Sequence, residues 1–358
     1  MVINPIRILP IIRAMSPVYY NDEAFEALTK WIAAQRYSKV FILVDSNTET
    51  HCLPVLQKIL PNPEAFEILV VAAGESHKNI QSSEQLWQQL SDLGADRKSL
   101  LLNLGGGVVT DIGGFVAATF RRGIHFINIP TSLLAMVDAA IGGKTGVDLG
   151  VLKNQVGVIL QPQMILVITK FLETLAARQV ANGKAEMYKH GLIYDAPYWS
   201  ELIRNNGNID AHIRRSVEIK NEIVAQDLNE KDLRKVLNFG HTFGHAIESH
   251  FLESKDTTLY HGEAIIAGMI LESYLSNQLT GLAQHQLDEI TKALNHRYVK
   301  IDFTPSDIMV ICDLLKFDKK NTHGHINFVL LKQIGAATFD EKVPDDMIQK
   351  AFAYYKET

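Results

Sequence analysis

The chain has 358 residues, 47% hydrophobic and 21% charged, with a formal net charge of −5. That is enough apolar material for more than one core, and the length favours two domains, because single cores stop growing at roughly 250–300 residues. The charge balance excludes a chain built to bind nucleic acid, which carries a basic stripe; the two cysteines, Cys52 and Cys312, exclude a disulfide scaffold or a zinc finger.

The first twenty residues hold Pro5 and Pro10 and no sustained apolar run, so no secretory leader is expected. The most apolar stretch, residues 100–120, contains Asn103, Asp111 and several glycines and does not read as a membrane span. A cytoplasmic protein, with neither membrane nor nucleic acid as partner, is the expectation. VFILVD (Val40–Asp45) and EILVVAA (residues 67–73) read as buried strands, and SSEQLWQQLSDLG (residues 82–94) as a helix stopped by glycine. SLLLNLGGG (residues 99–107) is a strand entering a glycine turn, and HFINIP (His125–Pro130) a strand closed by proline. This alternation predicts an α/β domain with a parallel sheet over residues 1–176.

GGGVVTD (residues 105–111) follows a strand and opens a helix. Glycines there admit a phosphate to the backbone, and a helix N-terminus favours negative charge. It is not the GxGxxG fingerprint, and taken alone it is equally a tight strand–helix turn. The next stretch, residues 130–154, is glycine-rich and carries Thr131, Ser132, Asp138, Lys144, Lys153 and Asn154. It reads either as a surface loop or as phosphate recognition by lysines and backbone amides.

After about Phe171 the pattern becomes helical, and HINFVLLK (residues 325–332) is the one late strand expected. Residues 177–358 are therefore read as a mainly α-helical domain, with a site in the cleft between the two. NFGHTFGHAIE puts His241 and His245 four apart on one helical face, but Thr242 rules out the HExxH metalloprotease pattern. HGEA opens another helix with His261, where the helix dipole disfavours protonation. AEMYKHG sets Glu186 and Lys189 on one face. Two histidines and a glutamate make a catalytic zinc set with positions left for water or hydroxyls, although Glu186 alone would read as a solvated helix face.

Together the blocks GESHKN, GGGVVTD, FRRG, PTSLLAMVDAAIGGKTGVD, FLETL, AEMYKHG, LNFGHTFGHAIE, HGEA and DKK resemble the 3-dehydroquinate synthase family of sugar-phosphate cyclases, over roughly residues 45–335. The resemblance implies a Rossmann-like N-terminal domain and a helical C-terminal domain, in a homodimer that uses NAD and one divalent metal, zinc first and cobalt as the alternative, on an anionic sugar phosphate. It implies metal ligands at Glu186, His241 and His261, with His245 beside the substrate. Substrate or catalytic contacts would fall on Arg122, Lys144, Asn154, Lys189, Lys220, Arg234, Asn238 and one or both of Lys319 and Lys320. Cofactor contacts would fall on Asp45, Gly74, Glu75, Lys78, Gly106, Gly107, Val108, Asp111, Thr131, Ser132, Asp138, Lys144, Lys153, Phe171 and Thr174. The chain departs from the commonest family pattern at Thr110, Ser132, Ala139, Ala140, Asp148 and Gln179, none of them a metal ligand.

The implied activity converts 3-deoxy-D-arabino-heptulosonate 7-phosphate to 3-dehydroquinate and phosphate. Its rivals are a sister cyclase acting on another sugar phosphate, a metal-dependent polyol dehydrogenase and an inactive sugar-phosphate sensor. Retention of Asn238 and His245 disfavours the first, the lysine-rich set the second, and the intact metal ligands the third.

Overall fold

The computed structural model describes residues 15–150, 152–204, 207–252, 259–315 and 326–358. Six strands form one parallel sheet: β1 (Val18–Tyr20), β2 (Val40–Asp45), β3 (Glu67–Val71), β4 (Leu100–Gly105), β5 (His125–Pro130) and β8 (Ile165–Val167), in the order β1-β8-β5-β4-β2-β3. β2 and β4 are apolar almost throughout because both sheet faces are covered. Ile42 and Val44 of β2 enter one core while Phe41 and Leu43 enter the other. Helices α1 (Asp22–Gln35), α2 (Ser46–His51), α3 (Leu53–Gln57), α4 (Ile80–Asp92) and α5 (Gly107–Thr119) connect these strands.

Between β5 and β8 the chain makes a long excursion. A π-helical turn (Ala135–Ala139) is followed by an antiparallel hairpin, β6 (Lys144–Leu149) and β7 (Leu152–Ile159). The surface-loop reading of residues 130–154 is thereby corrected: Leu133, Ala135, Met136, Val137 and Val147 are buried, and the glycines serve close approach. Gly146 and Gly157 face each other across the hairpin, where a Cβ on either would meet the opposite backbone.

The second half holds α6 (Ala177–Tyr194), α7 (Ala196–Ile203), α8 (Ile209–Gln226), α9 (His241–Leu252), α10 (His261–Leu279), α11 (Gln284–Asn295), α12 (Pro305–Leu315) and α13 (Asp345–Glu357). The expected late strand is present as β9 (Asn327–Gln333), but it is not alone. It pairs antiparallel with β10 (Ala336–Lys342), which the sequence conceals because AATFDEK holds one large apolar residue and lies half-buried. β1 and β8, three residues each, are too short to carry a period. α10 is apolar nearly all round because it is enclosed on all sides. Glycines set its distance from α9: a Cβ on Gly268 would overlap the Gly240 carbonyl oxygen, and one on Gly244 would strike Ile265. This crossing brings the first residues of α9 and α10 together over the middle of α6. Among the described residues, no helix is long and apolar enough to cross a membrane.

Candidate active site

Glu186 sits in the middle of α6 with none of its surface exposed. His241 is the first residue of α9 and His261 the first of α10. Glu186 Oε1 lies 3.5 Å from His241 Nε2 and 3.6 Å from His261 Nε2. The three donor atoms fall within 4.8 Å of one another. Each histidine is oriented through its other nitrogen: His241 Nδ1 lies 3.0 Å from the Phe239 carbonyl oxygen, and His261 Nδ1 lies 3.1 Å from Glu248 Oε2. With Nδ1 donating, each imidazole in its neutral form turns its Nε2 lone pair toward Glu186. Lys189 pairs with Glu186 Oε2, yet neither carboxylate oxygen, both buried, accepts a well-directed hydrogen bond. Burial would raise the Glu186 carboxyl, but Lys189 and the two histidines hold it well below the usual carboxylate range. Burial likewise works against a charged His261, and Glu248 and Glu186 overcome it, raising the imidazole to about 9. A position that attracts positive charge, walled by N and O donors, suits a divalent cation.

Asp138, Glu186 and His190 also cluster within ligand distance. Cations already hold that position, however: Lys220 Nζ is 2.6 Å from Asp138 Oδ1 and Lys189 Nζ is 4.0 Å away. Burial would raise the Asp138 carboxyl, and Lys220 and Lys189 bring it far down instead. Lys189, Lys220 and Arg234 are 1%, 6% and 2% exposed, so all three charges are buried. Arg234 donates to the carbonyls of Leu228 (2.8 Å) and Gly142 (3.2 Å). Lys144 pairs with Glu230, whose other oxygen accepts from Asn238 Nδ2 at 2.7 Å. His245, one turn after His241, places its ring centroid 5.2 Å from that of His241 and 6.0 Å from that of His261.

On the sheet side, Asp45, Gly105 and Pro130 end β2, β4 and β5, so the carboxyl ends of these parallel strands lie along one edge of the sheet. Gly106 caps α5 with no side-chain hydrogen bond. A Cβ on Gly106 would stand 3.3 Å from Ser132 Oγ, and one on Gly107 3.3 Å from Ala139 Cβ, so larger residues would fill this cradle. Val108 lies in the helix's first turn, and the Thr131 amide donates to the Gly105 carbonyl. Gly74, at φ +111°, turns the chain so that Glu75 and Lys78 face the cradle's edge. Lys78 is 4% exposed and meets Glu75 at 2.9 Å, Asp111 at 3.5 Å, Asp148 at 3.8 Å and Asn154 Oδ1 at 2.9 Å. Burial pushes the Asp111 carboxyl up to about 7 against the pull of Lys78.

Some expected residues stand apart. Arg122 is exposed and closes the turn after α5, about 20 Å along that helix from the glycines at 1.5 Å per residue. Phe171 is buried in the main core, and the Thr174 hydroxyl bonds back to its carbonyl. Asp45 spends its carboxylate capping α2, accepting from the amides of Asn47 and Thr48. Lys319 and Lys320 lie outside the described residues. The family departures have local partners: Thr110 bonds back to the Gly106 and Gly107 carbonyls, Asp148 accepts from the Asn154 amide, and Gln179 accepts from Asn182, which receives the Gly262 amide.

Glu230, Glu248 and His190 were not anticipated. Glu248 was legible, since it falls seven residues after His241 and so shares its helical face. Glu230 was not, because NEKDLRK reads as a solvated charge run and the residue's φ of +56° belongs to an irregular turn.

A family model described as 3-dehydroquinate synthase N-terminal matches residues 68–182, and one described as 3-dehydroquinate synthase C-terminal matches residues 183–321. A 3-dehydroquinate synthase from Parabacteroides distasonis is 40% identical over 338 residues, covering 92% of this chain and 95% of the relative. Among solved structures, a 2-epi-5-epi-valiolone synthase from Streptomyces hygroscopicus subsp. jinggangensis 5008, with NAD+ and Zn2+ bound, has a TM-score of 0.83 at 28% identity and covers 96% of this chain and 97% of its own. A 2-deoxy-scyllo-inosose synthase complexed with carbaglucose-6-phosphate, NAD+ and Co2+ has a TM-score of 0.81 at 24% identity, covering 94% and 96%, a likeness that bears on the fold alone.

Proposed function

The chain belongs to the 3-dehydroquinate synthase family, and on that premise we propose that it turns 3-deoxy-D-arabino-heptulosonate 7-phosphate into 3-dehydroquinate and inorganic phosphate. The overall conversion involves no net oxidation: a substrate hydroxyl is oxidised, phosphate is eliminated, the carbonyl is reduced again, the ring opens and an intramolecular aldol step closes the carbocycle. The observation that carries the reading is the Glu186–His241–His261 donor set, whose buried carboxylate oxygens lack hydrogen bonds.

When bound, one divalent metal held by Glu186, His241 and His261 supplies Lewis-acid polarisation of substrate hydroxyls, and NAD on the Gly106–Gly107 cradle accepts and returns a hydride. The chain's own side chains do the rest. Lys189, Lys220 and Arg234, all buried, offer fixed positive charge to the substrate's carboxylate and phosphate, and burial makes that charge strong. Lys144 and Asn238 share Glu230, so an arriving anion exchanges one carboxylate for another rather than meeting a bare cation. His245, beside His241 and His261, is placed to pass protons at the reacting hydroxyls. Lys78 and Lys153 face the dinucleotide side, with Asp111 under the turn.

The working form is taken to be a cytoplasmic homodimer. Leu149, Leu152, Val158 and Ile159 leave an exposed apolar surface on the β6–β7 hairpin that a second copy would cover. A monomer mass by light scattering at micromolar concentration would remove that reading.

The deciding experiment follows phosphate release from the heptulosonate phosphate with catalytic NAD and added zinc, and identifies the carbocycle. Release with 3-dehydroquinate formed, abolished by chelator and without accumulation of NADH, is the expected result. Phosphate release only from a different sugar phosphate would reassign the chain to a sister cyclase, and NADH accumulation would make it a dehydrogenase.

A further inference from the structure

Glu248 has no part in the chemistry just described, yet it is 5% exposed and bridges a residue of each half of the chain. It stands on α9 two turns after His241. Its Oε2 takes the Nδ1 proton of His261 at 3.1 Å, and its Oε1 takes Lys153 Nζ at 2.6 Å. Lys153 comes from β7 in the first half of the chain and lies 3.8 Å from Glu75 Oε1. Glu75 holds Lys78 at 2.9 Å, and Lys78 reaches Asp111, in the second turn of α5, at 3.5 Å. A charged path of alternating sign therefore runs from a ligand of the metal position to the helix under the glycine cradle.

We infer that Glu248 is a positioning residue that couples the two sites, so that metal and dinucleotide each tighten the binding of the other. The inference rests on the metal and NAD assignments above. One carboxylate meets two geometric demands. A metal on His261 Nε2 fixes the imidazole, and with it the Glu248 plane, through the Nδ1 hydrogen bond. A dinucleotide held along Lys78 and Lys153 fixes the Lys153 ammonium, and with it the same plane. Whichever ligand binds first orders Glu248, Lys153 and His261, and the second then meets them already ordered. Coupling of this kind is reciprocal. A simple helix brace would affect stability but leave no coupling between ligands.

The test uses the full chain and two variants. Glu248→Gln keeps an acceptor for His261 and the side-chain shape but loses the charge that holds Lys153. Glu248→Ala loses both contacts. Zinc affinity is measured by competition with a chromophoric chelator, with and without saturating NAD, and NAD affinity by calorimetry with and without zinc. In the wild-type protein each ligand is expected to tighten the other by the same factor, within the roughly 5–150-fold range of allosteric couplings. That factor is expected to fall to about 1 in Glu248→Gln. In Glu248→Ala, zinc affinity itself is expected to weaken by about 10–100-fold. A wild-type factor of 1, or a factor preserved in Glu248→Gln, would overturn the coupling while leaving both ligand assignments standing. Wild-type protein that binds no zinc or no NAD would instead overturn the assignments on which it rests.

Discussion

His190 follows Lys189 on α6, and a chain of hydroxyls sets its protonation. The Tyr198 hydroxyl donates its single proton to the His212 carbonyl at 2.8 Å, so its oxygen accepts from the Ser216 hydroxyl at 2.9 Å. The Ser216 oxygen then accepts His190 Nδ1–H at 3.2 Å, leaving the Nε2 lone pair buried, without a hydrogen-bond partner, and 4.0 Å from Asp138. Burial, aided by Lys189, lowers the imidazole from 6.5 to about 3. Between those values the unfolded chain takes up a proton that the native state refuses, so stability falls as pH drops from about 6.5 toward 3. The loss should reach the order of a few kcal/mol at the acid end. His190→Asn retains a donor for Ser216 but cannot titrate. Urea midpoints of the two proteins should converge as pH falls from 7 to 4, and parallel pH profiles would refute the assignment. Lys220 gives a second test: Lys220→Ala should lower turnover at least tenfold, as expected for a lost charge-assisted contact of about 1.5–3 kcal/mol, while zinc content stays at wild-type level. Unchanged kinetics would make Lys220 a purely structural partner of Asp138. At this scale the clustering of Glu186, His241 and His261 was legible because their spacing and helix positions are chemically restrictive. The partners of the cations were not, since nothing in the sequence joins Lys144 to Glu230, 86 positions away.

At the scale of elements, the α9–α10 crossing does the most to build the site. His241 and His261 begin these helices, and Gly240, Gly244 and Gly268 allow the backbones to approach closely enough for both imidazoles to face Glu186. Gly268→Ala would push its new methyl into the Gly240 carbonyl, and the fixed peptide cannot yield as a flexible side chain would. Overpacking of this kind costs about 1–3 kcal/mol. The expected result is a lower urea midpoint together with substoichiometric zinc after dialysis against limiting metal; full zinc content would mean the crossing tolerates the shift. The sequence reveals β2, β4 and β5, whose apolar runs answer to burial on both faces, and the long helices, whose patterns outlast any ambiguity. It does not reveal the β6–β7 hairpin, where glycines that imply a loop instead let two strands approach, nor β10, whose exposed face leaves too few apolar residues to signal a strand.

Over the whole molecule, one core runs through both halves. Ile127, Ile129, Leu133 and Phe171 from the sheet side belong to the same buried cluster as Met187, Ile219, Phe243 and Ile265 from the helices. Packing therefore continues across the division read at residues 176 and 177, and the protein should unfold in a single cooperative transition. Cys52 reports on this, being 4% exposed and in that cluster, far in sequence from the metal ligands proposed in the second half. In a Cys312→Ser variant it is the sole thiol. The donor set proposed for zinc lies wholly in the second half, and zinc bound there at 100 times its dissociation constant would stabilise the native state by about 2.7 kcal/mol. If the halves unfold together, thiol labelling of Cys52 should slow by about 100-fold under conditions where opening is in rapid equilibrium. Labelling of Cys52 that ignores zinc, while the fluorescence transition of buried Trp199 moves to higher denaturant, would mean that the sheet half opens by itself and that the shared core does not bind the two halves into one unit.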